Sequence, residues 1–284
     1  MSQYILVAES GSDIPEELAK QYGIVIVPMH VNFHDKTLDD GSFDVQEIID
    51  YYKKTSKTPK TSGCNPSDFK IFEELHSLHP QSHIIYLGYS AVTTCSYQSA
   101  AIMAQGLDYV TLIDTKQVSI GQGAIVIHIA RYISEHPNRE KEQIIEYAYK
   151  LVERAKMCFI PHHLEFLRAG GRVNNAAYIS ATLLNIHPTI EILDGRLVAT
   201  KKYRGKMSKI CIKLLQDYSL HYNLDKDVIW FICTIGFEDE LKCLLTQEAK
   251  RLGFKEINWA LCHGVITVHG GPGAFGFTGF KKET

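Results

Sequence analysis

The sequence is short of several features that would point to a function at once. It has no long apolar run. The longest stretches, such as "GAIVIHIA" at 123–130, fall far below the ~20 residues of a membrane helix. It has no excess of basic charge: Lys+Arg total 30 against Asp+Glu 32, a formal net charge of -2, and no basic run stands out. A nucleic-acid surface is therefore not expected. It has no C-x-x-C pair. Cys64, Cys95, Cys158, Cys211, Cys233, Cys243 and Cys262 are scattered and odd in number, which argues against a disulfide framework or a zinc site. The opening "MSQYILVAES" lacks a basic region followed by a long apolar stretch, so it reads as a first strand and not as a signal peptide. A cytoplasmic protein is the natural expectation. H-E-x-x-H, G-x-S-x-G, the P-loop pattern and paired-carboxylate motifs are also missing, so no catalytic constellation is forced.

What remains is a chain of 284 residues with 45% hydrophobic and 22% charged residues, enough for a large core in one or two domains. Strand and helix signals alternate in the first half. "YILVAES" and "IVIVPMHV" read as strands. Asp13 and Glu16, with Pro15 between them, have capping-box spacing, so a helix is expected over 14–22, ended by Gly23. Asp44 and Glu47 repeat the spacing before "QEIIDYYKK". Another helix is expected from Ser67. "HIIYLGYS" and "YVTLIDT" are short strands bracketing a helix near 97–105. Such alternation implies a largely parallel α/β sheet.

The second half has a different rhythm. Helices near 121–135 and 140–154 lead to the strand "MCFIP". "TIEILDGRLVATKKYR" alternates about Asp194-Gly195, a strong hairpin signal. Helices near 206–222 and 238–252 flank the strand "VIWFICTIG". The apolar "VITV", 265–268, reads as a last strand. This is an α+β pattern, with a soft domain boundary near residue 155.

The chain closes on "HGGPGAFGFTGF", His269 to Phe280, in which 271–276 satisfies G-x-G-x-x-G. A dinucleotide loop needs a following strand and an acidic residue about 20 positions on. Only eight residues follow Gly276, and Pro272 lacks the N–H that a phosphate cradle would use. The glycines therefore suggest either a tight turn or close backbone approach to some other ligand. Three further stretches gather small polar residues: "KTSGCNPSDF" with Thr61 and Ser62, "YSAVTTCSYQSA" with Ser90, Thr93, Thr94 and Ser96, and "IDTKQVSIGQG" with Thr115 and Ser119. Each alone is explained by helix capping. Several at strand ends suggest a shared polar pocket. Arg172 follows Gly170-Gly171. On the residues alone a surface ion pair is preferred for it, with an anionic ligand as the alternative. His162 and His163 are adjacent and make a weak metal site.

Three kinds of function fit this inventory. One is a carrier of an anionic ligand. The second is an enzyme, a phosphotransferase or hydrolase acting on a small anionic metabolite with His269 as acid/base. The third is a binding module whose ligand controls a protein contact.

The stretches "AESGSDIP", "TSGCNPSDF", "SAVTTCSYQSA", "IDTKQVSIGQG", "LEFLRAGGRV", "DGRLVATKKYRGK" and "HGGPGAFG" span nearly the whole chain, and in this order they resemble the DegV family of bacterial fatty-acid-binding proteins. The resemblance implies two α/β domains, a mainly parallel one over 1–155 and an α+β one over 156–284, with a long-chain fatty acid between them in a buried apolar tunnel. It implies a lipid-binding carrier, not an enzyme, which presents the carboxylate to a separate fatty acid kinase subunit for acyl-phosphate formation. No cofactor, metal, nucleic acid or stable membrane insertion is expected. By the same resemblance Thr61, Thr94, Ser62, His269, Arg172 and Gly270 would surround the head group, and Arg204 would face the partner. The chain departs from the family pattern at Glu9, where aspartate is usual. Thr93-Thr94-Cys95-Ser96 stands for L-S-G-T, Thr115 for a serine, and His187 where a lysine often precedes proline. Cys95 would narrow the site where glycine allowed close approach.

Overall fold

The computed structural model describes residues 3–172 and 186–283. The first half runs β1 (Tyr4–Glu9), α1 (Glu16–Tyr22), β2 (Val25–Val27), β3 (His30–Asn32), β4 (Thr37–Asp39), α2 (Gln46–Thr55), β5 (Lys60–Ser62), a 3-10 turn (Pro66–Lys70) and α3 (Ile71–Leu78). It continues with β6 (His83–Gly88), α4 (Ser96–Met103), β7 (Val110–Asp114), α5 (Ser119–Glu135) and α6 (Lys141–Arg154). The rest comprises β8 (Ala155–Ile160), α7 (Leu164–Ala169), β9 (Ile186–Leu193), β10 (Arg196–Arg204) and α8 (Met207–His221). It ends with β11 (Val228–Cys233), α9 (Asp239–Arg251), β12 (Glu256–Leu261), α10 (Gly264–Gly270) and β13 (Phe275–Phe280).

A parallel sheet has the order β2-β1-β6-β7, and a mixed sheet the order β10-β9-β8-β13-β11-β12. A small antiparallel sheet, β4-β3-β5, completes the described strands. The period-2 alternation of strand side chains sorts the core into three clusters. Leu6, Ala8, Ile85 and Leu87 leave one face of the parallel sheet. They join α5, α6 and the facing residues Val228, Trp230 and Ile232 of the mixed sheet. Val7, Ile84 and Tyr86 leave the opposite face toward Ile48, Phe69 and Phe72. Ile229, Phe231 and Cys233 leave the far face of the mixed sheet toward α8 and α9. Helix α5, buried along most of its length, is thus sandwiched between the two large sheets.

The fold class is the expected one, with local differences. "IVIVPMHV" is two strands: β2 belongs to the parallel sheet and β3 to the small one, because Pro28 cannot continue a ladder. The helix expected from Ser67 begins as the 3-10 turn, with Asn65 as its N-cap and Asp68 closing the box, before α3 takes over. Asp13 does not cap α1. It adopts a left-handed conformation (φ 52°) and turns its carboxylate into the core, while Gly23 ends the helix as expected. The Asp194-Gly195 hairpin forms, with φ of 45° and 79° at its two central residues. "VITV" is helical and lies within α10, so His269 sits in a helix's last turn. The glycine-rich tail enters β13, a fully buried strand between β8 and β11. Gly276 is required there by packing: a Cβ would lie 2.8 Å from Phe159 Cβ and 2.9 Å from the Cys158 carbonyl oxygen.

Candidate functional site

A cavity of about 340 Å³ lies at the ends of these elements. That is within the ~300–1,000 Å³ of small-molecule sites. Most of its wall is apolar: Met29, Val118, Met157, Phe159, Leu167, Leu197, Ile232, Val265 and Phe275. At one part of the wall β5, the loop before α4, the end of α7 and the end of α10 converge. They bring Thr61, Ser62, Thr93, Thr94, Cys95, Arg172, His269 and Gly270 to the lining.

Thr61 is the inward residue of β5, and its Oγ1 lies 2.9 Å from His269 Nε2. Burial, with the Arg172 and Lys60 charges, pushes the His269 pKa down to about 3, so the imidazole is neutral at physiological pH. Among the described residues its Nδ1 has no hydrogen-bond partner, and the ring stands against Gly170, where a Cβ would collide with it. A proton on Nδ1 would be an orphaned buried donor. The proton therefore belongs on Nε2, which donates it to Thr61 Oγ1. This leaves the Thr61 O–H free to donate into the cavity.

Thr94 Oγ1 is 3.1 Å from Ser96 Oγ, which in turn accepts from the Cys64 N–H at 2.9 Å. Gly63 lets the two segments meet, since a Cβ there would collide with Thr94 Oγ1. Two cations sit over the end of α7. Arg172 donates to the Gly170 carbonyl at 2.5 Å and Lys60 Nζ to the Ala169 carbonyl at 3.1 Å. Among the described residues neither is in an ion pair, so the surface ion pair preferred for Arg172 on the residues alone is not what forms.

The other expected residues separate. Ser62 points outward and its Oγ accepts from Asn32 Nδ2 at 3.2 Å. Gly270 borders the cavity with its backbone and packs on Thr234. Arg204 is exposed at the end of β10 and is not part of the cavity wall. Ser90 and Thr115 are structural: each hydroxyl donates to a carbonyl, of Gly195 and Gly88, at 2.8 Å. Cys95 lines the rim and is exposed. His162 and His163 stack face to face, with centroids 4.6 Å apart.

Sequence reasoning missed the brace beneath His269. Asp40 Oδ1 accepts the Val265 N–H (3.0 Å) and Oδ2 accepts from Ser10 Oγ (2.7 Å). Asp13 Oδ1 accepts the His263 N–H (2.7 Å) and Oδ2 accepts from Ser119 Oγ (2.5 Å). Two carboxylates from the first half of the chain thus hold the first turn of α10. Nothing local marks them, since their partners lie 106–250 residues away, except for Ser10, 30 away. Glu9, the departure from the family pattern, is fully buried and accepts from Tyr86 Oη, the Tyr89 N–H and Gln122 Nε2.

Comparison with known proteins agrees with this architecture. The family profile described as "Uncharacterised protein, DegV family" matches residues 4–282. A DegV domain-containing protein of Caldanaerobacter subterraneus is 31% identical over 230 residues, 79% of each chain. A solved Thermus thermophilus DegV family protein, described as fatty acid binding, superposes with a TM-score of 0.86 at 27% identity over 98% of this chain and 99% of its own. The Streptococcus pneumoniae fatty acid kinase B3 protein, solved loaded with linoleic acid, shares the fold with a TM-score of 0.84 at 18% identity, over 99% and 100% of the two chains. This chain belongs to the DegV family.

Proposed function

We propose that the cavity binds a long-chain fatty acid and that the chain presents its carboxylate to a separate kinase subunit for acyl-phosphate formation. The observation that carries this reading is the cavity itself: a largely apolar enclosure with a neutral Thr61–His269 pair, Thr94 and Arg172 gathered on one part of its wall. Each buried methylene contributes ~0.8 kcal/mol, so about 14 of them supply roughly 11 kcal/mol before ordering costs. The carboxylate has the opposite requirement. It must receive hydrogen bonds or take up a proton. The Thr61 and Thr94 hydroxyls are suitable donors, the backbones of Ser62 and Gly270 border them, and Arg172 supplies the positive charge. The ligand lies between units spanning 1–155 and 156–284. Arg204, exposed and outside the cavity, is assigned to the partner contact.

The acid/base enzyme reading asks His269 to exchange protons near neutrality. With its pKa at about 3 the ring holds no second proton to give and is a weak base. Its role here is to orient Thr61. Native mass spectrometry and lipid extraction of the purified protein test the proposal. Retained or added long-chain acids should appear as a one-to-one complex. A folded preparation that takes up none overturns it. Acyl-phosphate formation on adding a kinase subunit and ATP, and none without the subunit, tests the presentation step.

A further inference from the structure

One polar group on the cavity wall is hydrogen-bonded to none of Thr61, Thr94 and His269. Tyr89 follows β6 directly and lines the cavity. Its backbone N–H is fixed by Glu9, 3.1 and 3.0 Å from the two carboxylate oxygens. Its ring packs against Gly11, where a Cβ would come within 3.2 Å of Cε2. The backbone and ring are therefore held, and the phenol tip is placed by the fold. Among the described residues the Tyr89 hydroxyl has no hydrogen-bond partner, in contrast to Tyr86, Tyr203 and Tyr222, whose hydroxyls all donate to carboxylates. Burial, reinforced by Asp13 and opposed by the Arg172 charge, raises the phenol pKa, so the group is a neutral donor.

Ser119 and Cys262 line the same cavity. The Ser119 hydroxyl and Asp13 Oδ2 share one hydrogen, and Ser119 Oγ keeps a lone pair with which to face a ligand as an acceptor. The apolar wall thus contains a donor and an acceptor outside the Thr61–His269 pair. A plain hydrocarbon chain filling the cavity would exclude water and strand the phenol O–H. An unmade buried hydrogen bond of this kind weakens binding by roughly tenfold or more. An oxygen on the chain removes the penalty.

Resting on the fatty-acid reading, we propose that Tyr89 is a specificity residue and that the preferred ligand is an oxygenated long-chain acid, with a hydroxyl or keto group placed to meet the Tyr89 phenol. The test is calorimetric binding of stearic acid, a positional series of hydroxystearic acids and the matching keto acids, to the wild-type protein and to Tyr89→Phe. At least one isomer should bind about tenfold more tightly than stearic acid. Tyr89→Phe should erase that preference while leaving stearic acid binding equal or tighter, which also shows that the variant is folded. If no isomer exceeds stearic acid, the proposal is overturned. It is equally overturned if Tyr89→Phe weakens all acids alike, since the phenol would then serve the carboxylate. Failure to bind any acid, stearic included, is a different result and overturns the fatty-acid reading itself.

Discussion

The two polar regions at the ends of α10 differ in how fully their valences are used. Beneath its first turn, the Asp13 and Asp40 carboxylates have each oxygen paired, with Ser10, Ser119 and two backbone N–H groups as donors. At its last turn, His269 and Thr61 share one hydrogen bond, and both Nδ1 and the Thr61 O–H are left over. A saturated network has nothing to offer a ligand and serves to fix geometry. An unsaturated one, held in place by the first, can receive an anion. The helix between them is only seven residues long, too short to be stable on its own, so its position depends on the brace.

The largest expected effect comes from breaking the brace. Asp40→Ala leaves the Val265 N–H and Ser10 hydroxyl unpaired in a buried setting. Each stranded group costs roughly 1–3 kcal/mol, so a loss of about 3 kcal/mol of stability is expected, read by urea unfolding. Fatty-acid affinity should fall with it, because His269 loses its anchor. A variant with wild-type midpoint and affinity would show that the brace is dispensable.

The second effect is a pH dependence carried by the brace. Burial raises the Asp13 pKa from its ordinary value near 3.8 to about 7. The folded protein therefore binds this proton more tightly than the unfolded chain. Its contribution to stability is full below about pH 4 and is lost as pH rises through 7. Asp13→Asn mimics the protonated form, keeping an acceptor for His263 N–H and a donor toward Ser119. It should match the wild type near pH 4 and exceed it by about 2 kcal/mol at pH 6. The same stability difference at both values would refute the assignment.

Much of this contrast was readable before the structure, and the unread part has a physical cause. Asp194-Gly195 announced its hairpin because two positive-φ residues can serve few other purposes. Thr61, Thr94, Arg172 and His269 were picked out by motif order, and all line one cavity. "VITV" was misread because three of its four residues are Val or Ile and the fourth is Thr, all strand formers. Asp40 and Asp13 override that preference from far along the chain. Asp13 was misread because its spacing to Glu16 satisfies a local rule, while its side chain obeys a tertiary one. Tyr89 carried no signal at all. A tyrosine after a strand is ordinary, and only the absence of a partner at its hydroxyl sets it apart.

At the binding end the expected effects are smaller. Thr61→Ala removes one donor and frees His269 Nε2. It should weaken a long-chain carboxylate about tenfold, roughly 1.4 kcal/mol, and the alcohol of equal chain length far less. Equal losses for acid and alcohol would mean that Thr61 acts on the apolar wall and not on the charge.

The smallest effect sharpens the comparison to a single residue step. Ser62 adjoins Thr61 on β5, and strand alternation turns its hydroxyl outward to Asn32 Nδ2, 3.2 Å away at an exposed site. Water replaces that hydrogen bond at little cost. Ser62→Ala should therefore change stability by less than about 0.5 kcal/mol and leave the acid-over-alcohol preference intact. A tenfold loss of acid affinity in Ser62→Ala, matching that of Thr61→Ala, would mean that the head group draws on both faces of the strand. The division between a saturated scaffold and an unsaturated site would then have to be redrawn around β5.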